Sequence, residues 1–425
     1  MSIIKSWAYQ IMAVFAVAIC AAVILTQPSK AADLGGNCCS DLEERIAELE
    51  ATTAKKGNHK VSLVVYGQIS EALVDISGGG ISSHMQVQSN SNRDAQSVVV
   101  FAGKAQFSPG LSAGFVLQIG VGGFANGVIV PASNGLDTNG VYVREEFVYV
   151  QSDAAGKLSI GKQKLATYDV TGAVEGNTSV AHTMLSFAPL VGPTAGSALD
   201  LWDGGITDAA KYTSPHWFGH PGQDGTKDGL WVEAAWANAD NLMTNSANGN
   251  LYDVAIKYLG EVSAVQVSGQ AGYRNGMVVD LSSVALAGFS GLNVQDIKVW
   301  SAGGGVKHMP TGLFANASYG SFDYSTLSPG AGNLTAWEVQ AGIEQKWTKV
   351  GKTSLFGQYA RYDLGSVGLG SGNTSYGLGV VQNIEGAATD LYLTWEDYQP
   401  SDTAKANLGL TGNVAVIFAG IRTQF

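Results

Sequence analysis

The sequence predicts an all-β protein, a sixteen-stranded antiparallel transmembrane β-barrel, on three observations. Past residue 60, apolar and polar side chains alternate with period two in about sixteen segments, each roughly ten residues long, the length of a membrane-crossing strand. The connections between these segments alternate between short and long, as in outer-membrane barrels. The chain ends I-F-A-G-I-R-T-Q-F, Ile417 to Phe425, with mostly apolar side chains at every second place and an aromatic terminus, where a soluble chain would fray into water.

Composition agrees. Of 425 residues 14% are charged, against about 25% in an average soluble domain. Mean hydropathy is nevertheless only +0.09, too low for a bundle of transmembrane helices. Fifty-five glycines and ten prolines suit many strands joined by small-residue turns. The formal charge of −11 argues against nucleic acid as a partner, since that needs a basic surface.

The first element, residues 1–31, reads as a signal peptide. Lys5 gives a positive start, Ile11 to Leu25 an apolar core, and Ser29-Lys30-Ala31 a small-x-small site with cleavage before Ala32. A membrane anchor is the alternative, disfavoured by the short apolar run. Cleavage removes Lys5 and Lys30 from 24 basic residues, so 22 remain against 35 acidic ones and the mature charge is −13. Cys20 leaves with the signal. Cys38 and Cys39 are adjacent, a strained geometry for a bridge, and whether they are oxidised stays open.

Residues 32–59 form a periplasmic segment with a short helix. Ser40 and Glu43 make a capping box. Leu42, Ile46, Leu49 and Thr53 form a coiled-coil-like stripe, and Lys55, Lys56 and Gly57 close the last turn. A helix this short is marginal in water, so it pairs with copies of itself, docks elsewhere, or is a frayed linker.

Residues 60–425 are the barrel. Val61, Leu63, Val65, Gly67 and Ile69 share one face, Ser62, Gln68 and Ser70 the other. Leu111 to Val121 alternates with Ser112, Gly114, Gln118 and Gly120. Tyr252, Val254, Ile256 and Tyr258 alternate with Asp253, Ala255 and Lys257. Trp337 to Ile343 alternates with Glu338, Gln340, Gly342 and Glu344, and Leu391, Leu393 and Trp395 with Tyr392, Thr394 and Glu396. Tight turns are expected at Phe107 to Gly110, Gln345 to Val350 and Glu385 to Ala388, and long connections at Gly122 to Gly140, Asn275 to Ser290 and Leu364 to Asn373. A closed barrel has no free edge, so the last strand must pair with the first, near Val61 to Leu73, with Phe425 in the aromatic girdle.

The stretch Cys38 to Leu73, the G-K-L-S-I-G-K-Q strand at Gly156 to Gln163 and the terminal Phe425 together resemble the alphaproteobacterial porins of the Brucella and Rhizobiales type. The resemblance implies a homotrimeric general-diffusion channel in the outer membrane of a Gram-negative cell, with the third extracellular loop folded inward. It also implies that the barrel-assembly machinery reads Phe425. A mature terminus beginning Ala32-Asp33 matches the family members that are joined to peptidoglycan. Lipopolysaccharide and outer-membrane lipid are the expected surroundings.

The longest connection runs from about Leu165 to Ile206, and its acidic residues Asp169, Glu175, Asp200 and Asp203 are candidates for one side of a constriction. Cationic candidates on the facing wall come from strand parity. Lys104 points inward if Phe101 and Phe107 face lipid. Arg144 and Glu146 point inward by the same test against Phe147 and Tyr149, and Arg274 against Tyr273. Arg361 has ambiguous parity, because Tyr359 shares its face. Charges gather in the lumen because one on the lipid face costs a few kcal/mol, and opposed rows then filter ions.

No hydrolase elbow, P-loop or zinc spacing appears, so the reading is a passive pore for small hydrophilic solutes and ions, without catalysis, cofactor or metal. His216 and His220 lie four apart, but Pro215 and Pro221 flank them. The alternatives are a sugar- or anion-selective channel, for which Trp202 and Trp217 are the only aromatic hints, a barrel that mainly tethers the membrane to the wall, and an enzyme or adhesin on a barrel scaffold.

Overall fold

The computed structural model describes residues 61–89, 97–122, 140–168, 205–219, 228–238, 250–276, 279–280, 293–326, 334–364 and 370–425. The segments read from the sequence as a signal peptide and a short helix, and most of the 165–206 connection, lie outside them. Eighteen strands are present among the described residues: β1 (Ser62–Gly78), β2 (Ile81–Ser89), β3 (Val98–Ser108), β4 (Leu111–Gly122), β5 (Gly140–Ser152), β6 (Gly156–Lys164), β7 (Ile206–Thr213), β8 (Gly229–Asn238) and β9 (Asn250–Val262). They continue with β10 (Val265–Asn275), β11 (Val279–Asp280), β12 (Asn293–His308), β13 (Leu313–Thr326), β14 (Leu334–Gln345), β15 (Thr353–Leu364), β16 (Gly370–Ile384), β17 (Thr389–Gln399) and β18 (Val414–Gln424).

Every pairing is antiparallel, and each strand pairs with its chain neighbour. Two pairs of segments lie in line: β2 and β3 share the same edge of β1, and β10 and β11 the same edge of β12. Eighteen segments therefore make a sixteen-stranded barrel. It closes where β18 pairs with β1, from Gln424 opposite Gln68 to Val414 opposite Gly78. Phe425 completes the seam, exchanging two backbone hydrogen bonds with Gly67 at 2.9 and 3.0 Å. The seam runs past Leu73 to Gly78, because β1 is longer than the segment first read as its partner.

The outward face is mostly apolar and carries an aromatic girdle on seven consecutive barrel positions. Tyr273 stacks obliquely on Trp300 with ring centroids 4.2 Å apart, Trp337 lies 5.3 Å from Tyr359, and Tyr376 lies 5.6 Å from Trp395. Tyr319 joins them between Trp300 and Trp337. Such rings suit the boundary between hydrocarbon and headgroups. The inward face mixes Ser, Gln, Asn, Lys, Arg and Glu with apolar patches. The main patch lies under the seam, where Val74, Ile76, Val414, Val416 and Phe418 are buried.

One end of the barrel has tight turns at 109–110, 153–155, 263–264, 309–312, 346–352 and 385–388. The β7–β8 connection, 214–228, is the long exception there, held by a bridge between Trp217 and Leu230. The other end carries the long connections. Its shortest connection joins β1 to β2 through Gly79 and Gly80, whose φ values of 61° and 83° suit the two-residue hairpin turns matched to strand twist. The Leu364 to Asn373 connection is shorter than the sequence suggested, since β16 starts at Gly370. A helix that the period-two reading missed, α1 (Asp402–Leu408), sits between β17 and β18, capped by the Ser401 hydroxyl accepting from Ala404 N–H.

Candidate functional site

The candidate site is the inward wall around the start of the β6–β7 connection. Strand β5 approaches it with a bulge: opposite β4, Gln118 pairs with Glu145 but Ile119 pairs with Val143, leaving Arg144 as the extra residue. Both Arg144 and Glu145 are buried. Arg144 donates to Gln118 Oε1 at 3.0 Å and to Tyr168 Oη at 2.8 Å.

The bulge reverses side-chain parity, and this corrects the placement of Glu146. Before it Val141 and Val143 face outward; after it Val148 and Val150 do. Glu146 pairs with Leu117 and therefore shares the outward face, while Phe147 and Tyr149 turn inward. Strand parity misleads here because Phe147 and Tyr149 are aromatics that face inward rather than toward lipid. Room for Tyr149 comes from Gly114, where an added Cβ would lie 2.5 Å from the ring's Cζ.

Outside, Glu146 lies beside Lys162, and Lys162 beside Asp208, an alternating row across β5, β6 and β7. Arg361 is also outward. It alternates with buried Ala360 and Tyr362, and its guanidinium lies 3.5 Å from Asp363. The tie left by Tyr359 resolves this way because Phe356, Gln358, Ala360 and Tyr362 share the buried face.

Lys104 shares the inward face of β3 with buried Val98 and Val100 and is itself exposed. Arg274 points inward on β10, directly across from Asp253 on β9. Asp169, Glu175, Asp200 and Asp203 lie outside the described residues, as do Trp202, Ala32 and Asp33.

The first residues of the connection turn into the barrel. Leu165, Ala166, Thr167 and Tyr168 are all buried. Leu165 and Ala166 pack on Ala209 of β7, Ala235 and Ala237 of β8, and Leu251 and Ala255 of β9. Four alanines on the inner wall leave space for a chain to lie against it. Thr167 reaches β9: its N–H donates to Asp253 Oδ1 at 2.7 Å and its hydroxyl to Oδ2 at 2.6 Å. Leu165 N–H bonds Gly205 O at 3.1 Å, joining the two roots of the connection.

Below this root three charges cross β7, β8 and β9. Glu233 lies 3.8 Å from Lys211 and 3.3 Å from Lys257, and Lys211 donates to the Lys164 carbonyl at 2.7 Å. The opposite wall has its own pairs, Lys307 with Glu344 and Arg422 with Asp390. It also holds a neutral row in which Asn316 donates to Gln340 at 3.0 Å and Gln340 to Gln358 at 3.4 Å. Higher on that wall Tyr398 donates to buried Glu396, and Glu338 faces inward on β14.

Asp253, Lys257, Glu233 and Lys211 were not selected from the sequence. For Asp253 and Lys257 the signal was present, since alternation with Tyr252, Val254, Ile256 and Tyr258 already set them on the polar face. No group of three or more potential metal ligands occurs among the described residues.

A family model described as Gram-negative porin matches residues 15–403. No curated protein matches the chain. Among solved structures, the chain is similar to Salmonella typhi OmpF in complex with daunomycin, at 17% identity and TM-score 0.58, over 86% of this chain and 98% of that one. It is similar to an anion-selective porin from Comamonas acidovorans, at 14% identity and TM-score 0.54, over 86% and 100%. It is also similar to in-vitro folded Vibrio cholerae OmpT in a trimer form, at 13% identity and TM-score 0.52, over 86% and 99%. These likenesses are of fold.

Proposed function

Because the chain belongs to the Gram-negative porin family, we propose that solutes cross it through a bore narrowed at the inward root of the β6–β7 connection. The protein is an outer-membrane porin, a passive water-filled channel for small hydrophilic solutes and ions. The observation that carries the narrowing is the inward course of Leu165 to Tyr168, bound to Asp253 three strands from where β6 ends.

Two walls of different character face each other across this bore. Lys104, Arg144, Lys157, Lys211, Lys257 and Arg274 stand on β3 to β10, with Glu145, Glu233 and Asp253 among them. Glu338, Glu344, Asp390 and Glu396 stand on β14 and β17, with Lys307 and Arg422 beside them. The excess is cationic on one side and anionic on the other, a field across the path of an ion. If Asp169, Glu175, Asp200 and Asp203 line the bore as the sequence suggests, they add to its anionic side.

The assembly unit in this reading is a homotrimer. The outward row Glu146, Lys162 and Asp208 supports a protein neighbour there, since charge facing lipid is costly whereas a second barrel offers partners. Lipopolysaccharide surrounds the rest, the assembly machinery reads Phe425, and Ala32-Asp33 links to peptidoglycan. Planar-bilayer recording tests the proposal. Steady conductance in groups of three steps is expected, with a reversal potential in a salt gradient that shifts when Lys104 or Glu338 is neutralised. Absence of conductance sinks it.

A further inference from the structure

Resting on the porin reading, we infer that Asp253 is a positioning residue for the channel: its carboxylate latches Thr167 to the inner wall and so fixes where the β6–β7 connection enters the bore. The contact is two-pronged, with both carboxylate oxygens accepting from one residue, through backbone N–H and hydroxyl. It is buried, with Asp253 at 0% and Thr167 at 1% exposure, so water competes little for either partner.

Three further features converge on the same point. Gly272 of β10 lies against Thr167, and a Cβ there would fall 2.5 Å from Thr167 Cγ2. Glycine is therefore what lets the root lie flat. Arg144 holds the next residue, Tyr168, from the β5 side. Arg274, opposite Asp253 in register, supplies the balancing positive charge. The root is thus gripped from β5 and β9, and one small position admits it.

The sheet blocks movement outward, so any loosening must carry the root toward the pore axis. Conductance then falls. Thr167→Val keeps the shape but removes the hydroxyl donor. Asp253→Asn removes the charge and one acceptor. Gly272→Ala leaves every polar group in place and pushes Thr167 off the wall. Thr167→Ser keeps the hydroxyl and serves as the rescue.

The test records single-channel conductance, open-channel noise and reversal potential for the full-length protein and these four variants in planar bilayers. Heat-modifiable gel mobility confirms that each variant folds. Thr167→Val, Gly272→Ala and Asp253→Asn are expected to lose conductance and gain noise, while Thr167→Ser behaves as the parent. Asp253→Asn alone is expected to move the reversal potential toward anions, because Arg274 loses its counter-charge. Folded variants with parental conductance and noise overturn the latch, as does loss of conductance in Thr167→Ser equal to that in Thr167→Val. A parent protein that does not conduct would instead refute the porin reading itself.

Discussion

Replacing Lys307 by methionine tests whether the inner wall is dry at the level of the Lys307–Glu344 pair. Lys307 on β12 reaches past Phe314 of β13 to Glu344 on β14, and the two side chains are only 7% and 2% exposed. Ser354 also donates to Glu344 Oε2, at 2.7 Å. Removing one partner of such a pair costs about 3–5 kcal/mol, because the other charge is left desolvated. Lys352, 3.9 Å from Glu344 but 55% exposed, can recover at most about 1 kcal/mol as a surface-type partner. The expected net loss for Lys307→Met is therefore about 2–4 kcal/mol. The double variant Lys307→Met/Glu344→Gln keeps an acceptor for Ser354 and removes both charges, so it should return to within about 1 kcal/mol of the parent. Urea unfolding of the refolded barrel in detergent, followed by tryptophan fluorescence, gives the free energies by linear extrapolation. A single variant less than about 0.5 kcal/mol below the parent, with no coupling in the double variant, would show the pair to be solvated and refute the reasoning.

Three other outcomes follow from the same geometry. Deleting Phe425 removes two seam hydrogen bonds to Gly67 and should lower stability by about 1–3 kcal/mol while slowing insertion into lipid vesicles; an unchanged urea midpoint would mean that the seam ends before the terminus. Gly342→Ala should cost roughly 1–3 kcal/mol, since the new Cβ would sit 2.2 Å from Leu355 O and 2.6 Å from Phe314 Cζ; calorimetry of the folded barrel reads it. Replacing Glu146, Lys162 and Asp208 together by leucine should lower the temperature at which trimers dissociate on unheated gels. A gain in stability would place that face in lipid instead.

Much of the barrel is legible in the chain because a strand's side chains alternate without reference to anything distant. Trp337 to Ile343 against Glu338 to Glu344 needs only two facts, an oily outside and a polar inside. Alternation misleads where the backbone breaks step. At Arg144 one inserted residue flips everything after it, so Glu146 and Phe147 change sides. It also fails where a residue type fits both faces, as tyrosine does, and Arg361 was undecided for that reason. The capping helix Asp402–Leu408 escaped because seven residues carry too little periodicity.

The sequence by itself determined the class of object: strands of membrane length, small-residue turns and a terminus that must pair. Those properties are local, set by side-chain polarity and backbone preference within a few residues. Only the tertiary structure decided what meets inside. Thr167 and Asp253 are 86 residues apart, and no local pattern announces their contact. It exists because Ala209, Ala235 and Ala237 on the two intervening strands are small and Gly272 lies against Thr167, a coincidence of shape that arises only when the sheet has curved and closed.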